Sequence, residues 1–123
     1  MKIKTQDLIG HALDWAVARA DGTDVMMDNR HSVIREAGMY VKAIPLSDYK
    51  PSTNWAQGGP IIEREGIELR VWDDSEAGKR QWLADDTPES KWSIVGPTPL
   101  IAAMRCYVAS KLGDEVDIPE DLK

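Results

Sequence analysis

Hydrophobic positions near the C-terminus of the chain recur at helical spacing and predict its best-defined element. They follow an i, i+3, i+7, i+11 pattern, which is typical of a stripe buried along one face of a helix, at Ile101, Met104, Val108 and Leu112. Thr98 suits the N-cap, Pro99 the first helical position and Gly113 the C-terminal stop. We therefore expect a helix over residues 99–112 to be the central element of the core.

A second helical pattern opens the chain. Thr5 suits an N-cap, and Gly22 follows the last apolar position. The apolar face between them is broad and rich in alanine: Ile9, Ala12, Leu13, Ala16, Val17 and Ala20. Because small side chains let two helices approach closely, the pattern predicts a helix over residues 5–20 that packs against the alanines of the C-terminal helix.

Alternating apolar and polar positions predict a small antiparallel sheet in the second half of the chain. Residues 67–72 alternate most regularly, and a polar turn over residues 73–79 leads to a hairpin partner at residues 81–84. After a loop at residues 87–90, residues 91–95 form a third strand that leads directly into the C-terminal helix.

The first half of the chain between the helix and this sheet is less regular. Residues 21–29 are polar and indicate a loop, and residues 39–44 alternate as a strand that Pro45 ends. Residues 31–37 are ambiguous, and one helical turn that ends at Gly38 is compatible with them.

The segment from Tyr49 to Gly66 is the most unusual, because prolines, adjacent glycines, amides and a tryptophan follow one another. Ser52 suits the cap of a short turn, and the adjacent glycines at 58 and 59 allow positive φ angles or close backbone contact. Pro60 then begins a short helix of about five residues that Gly66 ends. A segment of this kind is either a tight structural crossover or a binding surface, and the sequence leaves both alternatives open.

These elements predict the α+β class, with two main helices packed on a small antiparallel sheet of three to four strands. A length of 123 residues corresponds to a single domain over residues 1–123. Residues 114–123 form an acidic tail that we expect to be loosely packed.

Composition and charge narrow the classes of function. The net charge of −6 argues against binding of duplex nucleic acid, and no apolar run reaches the length of a membrane span. A single cysteine, Cys106, suits a reducing compartment. Five tryptophans and no phenylalanine are present, so the tryptophans either replace phenylalanine in the core or present one or two indoles to a ligand.

The sequence contains no pattern that indicates catalysis. Neither a serine–histidine–acid order nor a zinc-ligand spacing is present, and the paired aspartates suit solvated hairpin ends. Glu63 and Glu65, which flank Arg64, are the only acids that we would test as catalytic groups. We therefore expect a protein that is not an enzyme and that uses no cofactor and no metal.

Three stretches carry a family resemblance. They run from Thr5 to Val17, from Pro51 to Glu63 (Pro-Ser-Thr-Asn-Trp-Ala-Gln-Gly-Gly-Pro-Ile-Ile-Glu) and from Pro97 to Ala109 (Pro-Thr-Pro-Leu-Ile-Ala-Ala-Met-Arg-Cys-Tyr-Val-Ala). In their order along the chain and in their residues, they resemble the NinX-like proteins of tailed phages and their prophages. The resemblance implies a small phage accessory protein made in the host bacterial cytoplasm, and it provides neither an activity nor catalytic residues to transfer.

Two functions by binding, and an uncharacterised enzyme as a third, remain open. In the first, the acidic protein binds and modulates a host protein, since a surplus of carboxylates engages basic partners. In the second, it is a sponge that sequesters a small anionic nucleotide-type immune signal at a helix N-terminus beside a stacking indole. The candidate ligand-binding residues are Ser52, Thr53, Asn54, Trp55, Gln57, Gly58, Gly59, Thr98 and Arg105. Alanine-rich helix faces and the many tryptophans are also compatible with a homo-oligomer.

Overall fold

The structure, a computed structural model of the chain, describes residues 1–22, 25–26, 32–37, 40–73, 80–86 and 93–122. These residues form three α-helices: α1 (Gly10–Ala20), α2 (Trp55–Glu65) and α3 (Pro99–Leu112). They also form eight strands: β1 (Lys2–Lys4), β2 (Val25–Met26), β3 (Ser32–Ala37), β4 (Tyr40–Ile44), β5 (Ile67–Asp73), β6 (Gln81–Asp86), β7 (Ser93–Gly96) and β8 (Glu115–Asp117). Antiparallel pairing groups the strands as β1-β8, β2-β3-β4 and β5-β6-β7, which confirms the α+β class.

The helix α3 is the centre of the core, as predicted, but it is buried on every side rather than along one stripe, and Leu112 at its end is exposed. All ten residues from Leu100 to Ala109 are buried, and the helix packs on the sheet β5-β6-β7. The Thr98 hydroxyl accepts a hydrogen bond from the Ile101 N–H at 3.1 Å, which is the N-cap contact that its position indicates. Gly96 makes the tight entry from β7 into the helix feasible, because a Cβ there would lie 2.7 Å from the Ala102 nitrogen.

The helix α1 packs against α3 through alanines of both helices, as predicted: Ala12, Ala16, Ala102 and Ala103 belong to one buried cluster. Its start differs from the prediction, because residues 5–7 form a separate 3-10 turn and α1 begins only at Gly10. The Thr5 hydroxyl does not cap α1. It donates to the Gly113 carbonyl at 2.7 Å, so a tertiary contact with the end of α3 uses the hydroxyl that the sequence assigned to a cap.

The predicted strands at 39–44, 67–72, 81–84 and 91–95 are confirmed as β4, β5, β6 and β7 where the structure describes them. The interpretation of residues 31–37 as a helical turn is wrong, since β3 spans Ser32–Ala37. Pairing with both β2 and β4 sets the extended conformation of these residues, and no local sequence pattern indicates it. The strand β2 likewise lies inside the stretch expected to be a loop. The predicted turn and loop at 74–79 and 87–90, together with Trp92, lie outside the described residues.

The C-terminal tail is packed where a loose segment was expected. The strand β8 pairs with β1, with Val116 opposite Ile3. Val116 and Ile118 are 7% and 1% exposed, whereas Glu115 and Asp117 face solvent. The acidic composition therefore describes only the outward side of an alternating strand.

Candidate functional site

The unusual segment folds as the helix α2, and the expectation of a loop followed by a short helix from Pro60 is wrong. Asn54 is the N-cap, and its side chain accepts a hydrogen bond from the Ala56 N–H at 2.8 Å. Gly66, at φ 66°, ends the helix in the left-handed conformation. Inside a helix, each glycine lowers stability by about 1 kcal/mol and each proline by about 3 kcal/mol relative to alanine. Tertiary contacts must therefore offset the cost of the two glycines and the proline in α2.

Close packing at Gly58 explains how α2 remains helical despite the free-energy cost of its glycines and proline. A Cβ at this position would lie 2.3 Å from the Pro51 carbonyl oxygen and 2.6 Å from the Leu100 Cδ1 atom. The absence of a side chain therefore allows α2 to touch both the preceding turn and α3. Gly59 differs from its neighbour, since a Cβ there would meet nothing within 4 Å. Of the two alternatives for this segment, the structural crossover accounts for Gly58.

The helices α2 and α3 run side by side in the same direction. Gly58 lies against Leu100 near their N-terminal ends. About two to three turns later, the Arg64 Nη2 atom donates to the Tyr107 hydroxyl at 3.1 Å, and the Glu65 carboxylate lies 3.4 Å from the Lys111 ammonium. The N-termini of both helices therefore face the same end of the molecule.

Three of the predicted polar binding residues are used by the fold itself. Asn54 caps α2 through its side chain. Gln57 Oε1 accepts from the Lys50 N–H at 2.7 Å while its Nε2 donates to the Asp48 carbonyl at 2.9 Å. Ser52 is 1% exposed, and its N–H donates to Asp14 Oδ1 at 2.9 Å. The Ser52 contact holds the turn before α2 against α1, and the other contacts fix the turn itself.

The carboxyl group that receives the Ser52 contact is itself buried. Asp14 is 2% exposed on α1. Burial raises the pKa of the Asp14 carboxyl, and the hydrogen bonds from Ser52 oppose this shift. A titratable group thus lies at the junction of α1 and the turn before α2.

Arg105, the predicted anion contact, lies in the interior. It is 9% exposed, and its guanidinium donates to the Leu8 carbonyl at 2.8 Å and to the Val95 carbonyl at 2.9 Å. Burial lowers the pKa of the Arg105 guanidinium, and the Asp7 carboxylate opposes the shift. The side chain therefore connects the segment before α1, the strand β7 and the helix α3.

Trp55, Thr53 and Thr98 are the predicted site residues that are exposed to solvent. Trp55 occupies the first position of α2 and is 54% exposed, and Thr53 is also exposed. Thr98 lies at the same end of the molecule, but its hydroxyl caps α3. The structure thus brings Trp55 and Thr98 to one end and separates them from the buried Arg105.

A cleft runs along one face of α2 next to Trp55. Its volume is about 380 Å³, within the range of small-molecule sites. The α2 residues that line it recur at i, i+1, i+4, i+5 and i+8, a single helical stripe: Ala56, Gln57, Pro60, Ile61 and Arg64. Ile44, Asp48 and Tyr49 form the facing wall, and Asp21 lies at the end of α1. We call this the α2 cleft.

The charge of the α2 cleft is negative, because its described lining contains two carboxylates and one guanidinium. That guanidinium is already paired: Arg64 Nη2 lies 3.1 Å from Asp21 Oδ1, and its Nε lies 3.0 Å from Glu65 Oε2. The contact with Arg64 lowers the pKa of the Glu65 carboxyl, with a further contribution from Lys111. Asp48, on the facing wall, adds a carboxylate on an exposed residue.

Asp21 accepts a second hydrogen bond at its end of the cleft, besides the one from Arg64. The Tyr107 hydroxyl donates to Asp21 Oδ1 at 3.0 Å. Burial, together with the Asp21 carboxylate, raises the pKa of Tyr107 far above its ordinary value. Tyr107 therefore remains a neutral donor at physiological pH.

Pro60 adds a further acceptor to the cleft. Proline has no N–H, so residue 60 cannot donate to the Ala56 carbonyl four residues earlier, and both residues line the cleft. The Ala56 carbonyl thus lacks its usual helical donor, at a residue that lines the cleft together with the two carboxylates. Such a set of acceptors favours a ligand that carries a positive charge and several N–H donors.

Sequence patterns did not predict most of the residues that line this cleft. Asp21 and Asp48 lie in polar turns 27 positions apart, and no periodicity connects them with α2. Arg64 stood out only with its flanking glutamates as a catalytic alternative. The available signal was Pro60, because a proline after a capped helix start indicates a free carbonyl one turn earlier.

The described part of the chain contains neither a metal-binding cluster nor a membrane-spanning helix. No three His, Cys, Asp or Glu side chains there come together in a way that could hold a metal ion. No helix among the described residues is long and apolar enough to cross a membrane.

Comparison with known proteins places the chain in a family. The family described as "Bacteriophage P22, NinX" matches residues 4–111. A solved structure described as the 2.0 Å crystal structure of a phage protein from Bacillus cereus ATCC 14579 has the same fold, with a TM-score of 0.55 and 19% identity. That match covers 85% of this chain and 94% of the other. No curated protein matches. Because the family match spans most of the chain, including α1, α2 and most of α3, this protein belongs to the NinX family of phage proteins.

Proposed function

We propose that this phage protein acts by binding rather than by catalysis, and that it binds and modulates a host protein with a basic surface. The observation that carries the proposal is the α2 cleft, a concave site of about 380 Å³ with a negative lining beside an exposed indole. In this proposal a lysine or arginine side chain of the partner enters the cleft, and Trp55 packs on the surface around it.

Charge supports a basic partner. The chain has a net charge of −6, and the Arg64 charge is already neutralised by Asp21 and Glu65. A cationic side chain in the cleft would meet the carboxylates and the Ala56 carbonyl as acceptors. Opposite charges of this kind also accelerate association, an effect that salt weakens.

The exposed indole supports a protein surface as the partner. Trp55 is 54% exposed although indole is among the side chains with the most to gain from burial. Tryptophan is enriched among the interface residues that contribute most to affinity, where truncation costs at least about 2 kcal/mol. A cleft for a charged side chain next to such an indole is a compact recognition unit.

The nucleotide sponge is less well supported by the same residues. Phosphates require free cations, yet Arg105 is buried on two carbonyls and Arg64 is held by two carboxylates. We therefore expect cyclic di- and trinucleotides to leave the melting temperature unchanged. A ligand at about a hundred times its Kd adds about 2.7 kcal/mol of stability, so a clear rise with one of them would favour the sponge instead.

The direct test is affinity capture from host lysate, followed by purification of the captured protein and measurement of its Kd. Trp55→Ala should weaken binding about 30-fold, the equivalent of about 2 kcal/mol. Asp48→Lys reverses a charge on the cleft wall without touching the main-chain contacts of residue 48. It should weaken binding about tenfold or more.

Leu112→Ala is the matched control. Leu112 is 38% exposed at the C-terminal end of α3, away from the end that presents Trp55. Its affinity should equal that of the wild type. A partner that binds Trp55→Ala and Asp48→Lys as tightly as the wild type, or whose surface is acidic, would contradict the proposal.

A further inference from the structure

The strand β5 presents an open edge that the cleft does not involve. In the described sheet, the order is β5-β6-β7, so β5 pairs with β6 alone. Edge strands expose a row of main-chain donors and acceptors that can pair with another strand. The residues from Arg70 to Asp73 are exposed, among them Val71 at 42% and Trp72 at 61%. The opposite edge, β7, lies instead against the 3-10 turn at Thr5–Asp7.

The regular part of β5 is symmetric in its chemistry. The pairing with β6 shifts between Val71 and Asp73, so Trp72 is the extra residue of a bulge. The regular segment is therefore Ile67–Val71, with Leu69 at its centre. Ile67, Leu69 and Val71 share one face, and Glu68 and Arg70 share the other.

We propose that two copies of the chain pair through β5 in an antiparallel arrangement centred on Leu69, which joins their sheets into one of six strands. In this register Leu69 lies opposite Leu69 of the second copy, and Ile67 lies opposite Val71. On the other face Glu68 lies opposite Arg70, and the two-fold axis repeats that pair. Every cross-strand pair is then apolar with apolar or acidic with basic.

The self-complementarity points to a second copy of this chain. A peptide of unrelated sequence would not place an acid and a base opposite Arg70 and Glu68, respectively. Arg70 can make the new contact because its side chain is 61% exposed even while it holds Asp85 at 2.8 Å. The exposed Val71 would be covered by Ile67 of the second copy. This pairing is independent of the proposed host partner, because it uses the edge of a sheet rather than the α2 cleft.

The test is sedimentation equilibrium of the full chain over a range of concentrations. The wild type should sediment as a dimer in equilibrium with monomer. Glu68→Arg places arginine opposite arginine twice and should weaken the dimer at least about tenfold. Glu115→Arg makes the same change of charge on β8, in another sheet, and should leave the dimer constant unchanged.

A mixing experiment tests the register itself. Glu68→Arg and Arg70→Glu should each be mainly monomeric, whereas an equimolar mixture should form a heterodimer in which both charged pairs are restored. Arg70→Glu loses its ion pair with Asp85, so its melting temperature is measured first, and Arg70→Gln replaces it if the variant does not fold. A wild type that remains monomeric, or a Glu68→Arg variant that dimerises as well as the wild type, would overturn the proposal.

Discussion

Gly58→Ala tests whether the glycine pair in α2 is structural. The added methyl group would stand 2.3 Å from the Pro51 carbonyl oxygen and 2.6 Å from Leu100 Cδ1. Leucine can change its rotamer, but the carbonyl belongs to the main chain of the turn before α2. That turn is held by the hydrogen bond from Ser52 to Asp14, so relief of the clash must displace a buried contact.

The magnitude follows from two opposing terms. Alanine is preferred to glycine inside a helix by about 1 kcal/mol. Overpacking of a filled site costs about 1–3 kcal/mol and occasionally more, and a contact with main chain falls at the upper end of that range. We expect Gly58→Ala to lower the free energy of unfolding by about 1–2 kcal/mol.

Gly59→Ala is the control within the same helix. A Cβ at residue 59 meets nothing within 4 Å, so only the helical preference remains and the variant should gain up to about 1 kcal/mol. Urea unfolding and melting temperature of both variants provide the assay. At this chain length 1 kcal/mol corresponds to about 3–6 °C. If Gly58→Ala equalled Gly59→Ala in stability, the close packing of α2 at residue 58 would be refuted.

Two further predictions concern buried charged groups. Arg105→Met leaves the Leu8 and Val95 carbonyls without their donor and should cost about 3 kcal/mol in urea unfolding; a loss below about 1 kcal/mol would contradict the structural role. Burial raises the pKa of the Asp14 carboxyl, so its contribution to stability is greatest below the unfolded-state pKa and falls as pH rises through the folded-state pKa. Asp14→Asn should therefore gain stability relative to the wild type as pH rises from about 4 to about 7. If the difference in unfolding free energy between Asp14→Asn and the wild type were constant over this pH range, the raised pKa of Asp14 would be contradicted.

Elements specified by local signals could be predicted from the sequence. The helix α3 has a cap, a first-position proline and a stop, and these three agree with the structure. The predicted stripe does not, because Leu100 to Ala109 are buried on every side of the helix and Leu112 is exposed. The strand β5 alternates between apolar and polar residues, and one face of its sheet packs on α3. Where the local pattern and the tertiary environment agree, the hydrophobic periodicity is sufficient to predict the element.

Elements decided by distant contacts could not be predicted. The strand β3 depends on its neighbours in the sheet, and β8 depends on β1 from the other end of the chain. The glycines and the proline of α2 argue against a helix locally, and the close approach of Gly58 to Leu100 is visible only in the folded chain.

The candidate site shows the same limit. Trp55 was predicted as a binding residue and is exposed, so its assignment stays a prediction that the affinity measurements test. Arg105 was assigned to a ligand because a cation on a helix suits an anion. Its burial against two carbonyls follows from the position of Leu8 and Val95, which only the folded chain brings together. The two carboxylates of the α2 cleft, Asp21 and Asp48, come together from separate turns for the same reason.

The measurement that tests the account most directly is calorimetric titration of the purified host partner into the wild type, Asp48→Lys and Leu112→Ala. We expect Asp48→Lys to weaken binding about tenfold or more, Leu112→Ala to leave the Kd unchanged, and added salt to weaken the wild-type complex. Equal affinity of Asp48→Lys and the wild type, without dependence on salt, would contradict the α2 cleft as the site of a basic partner.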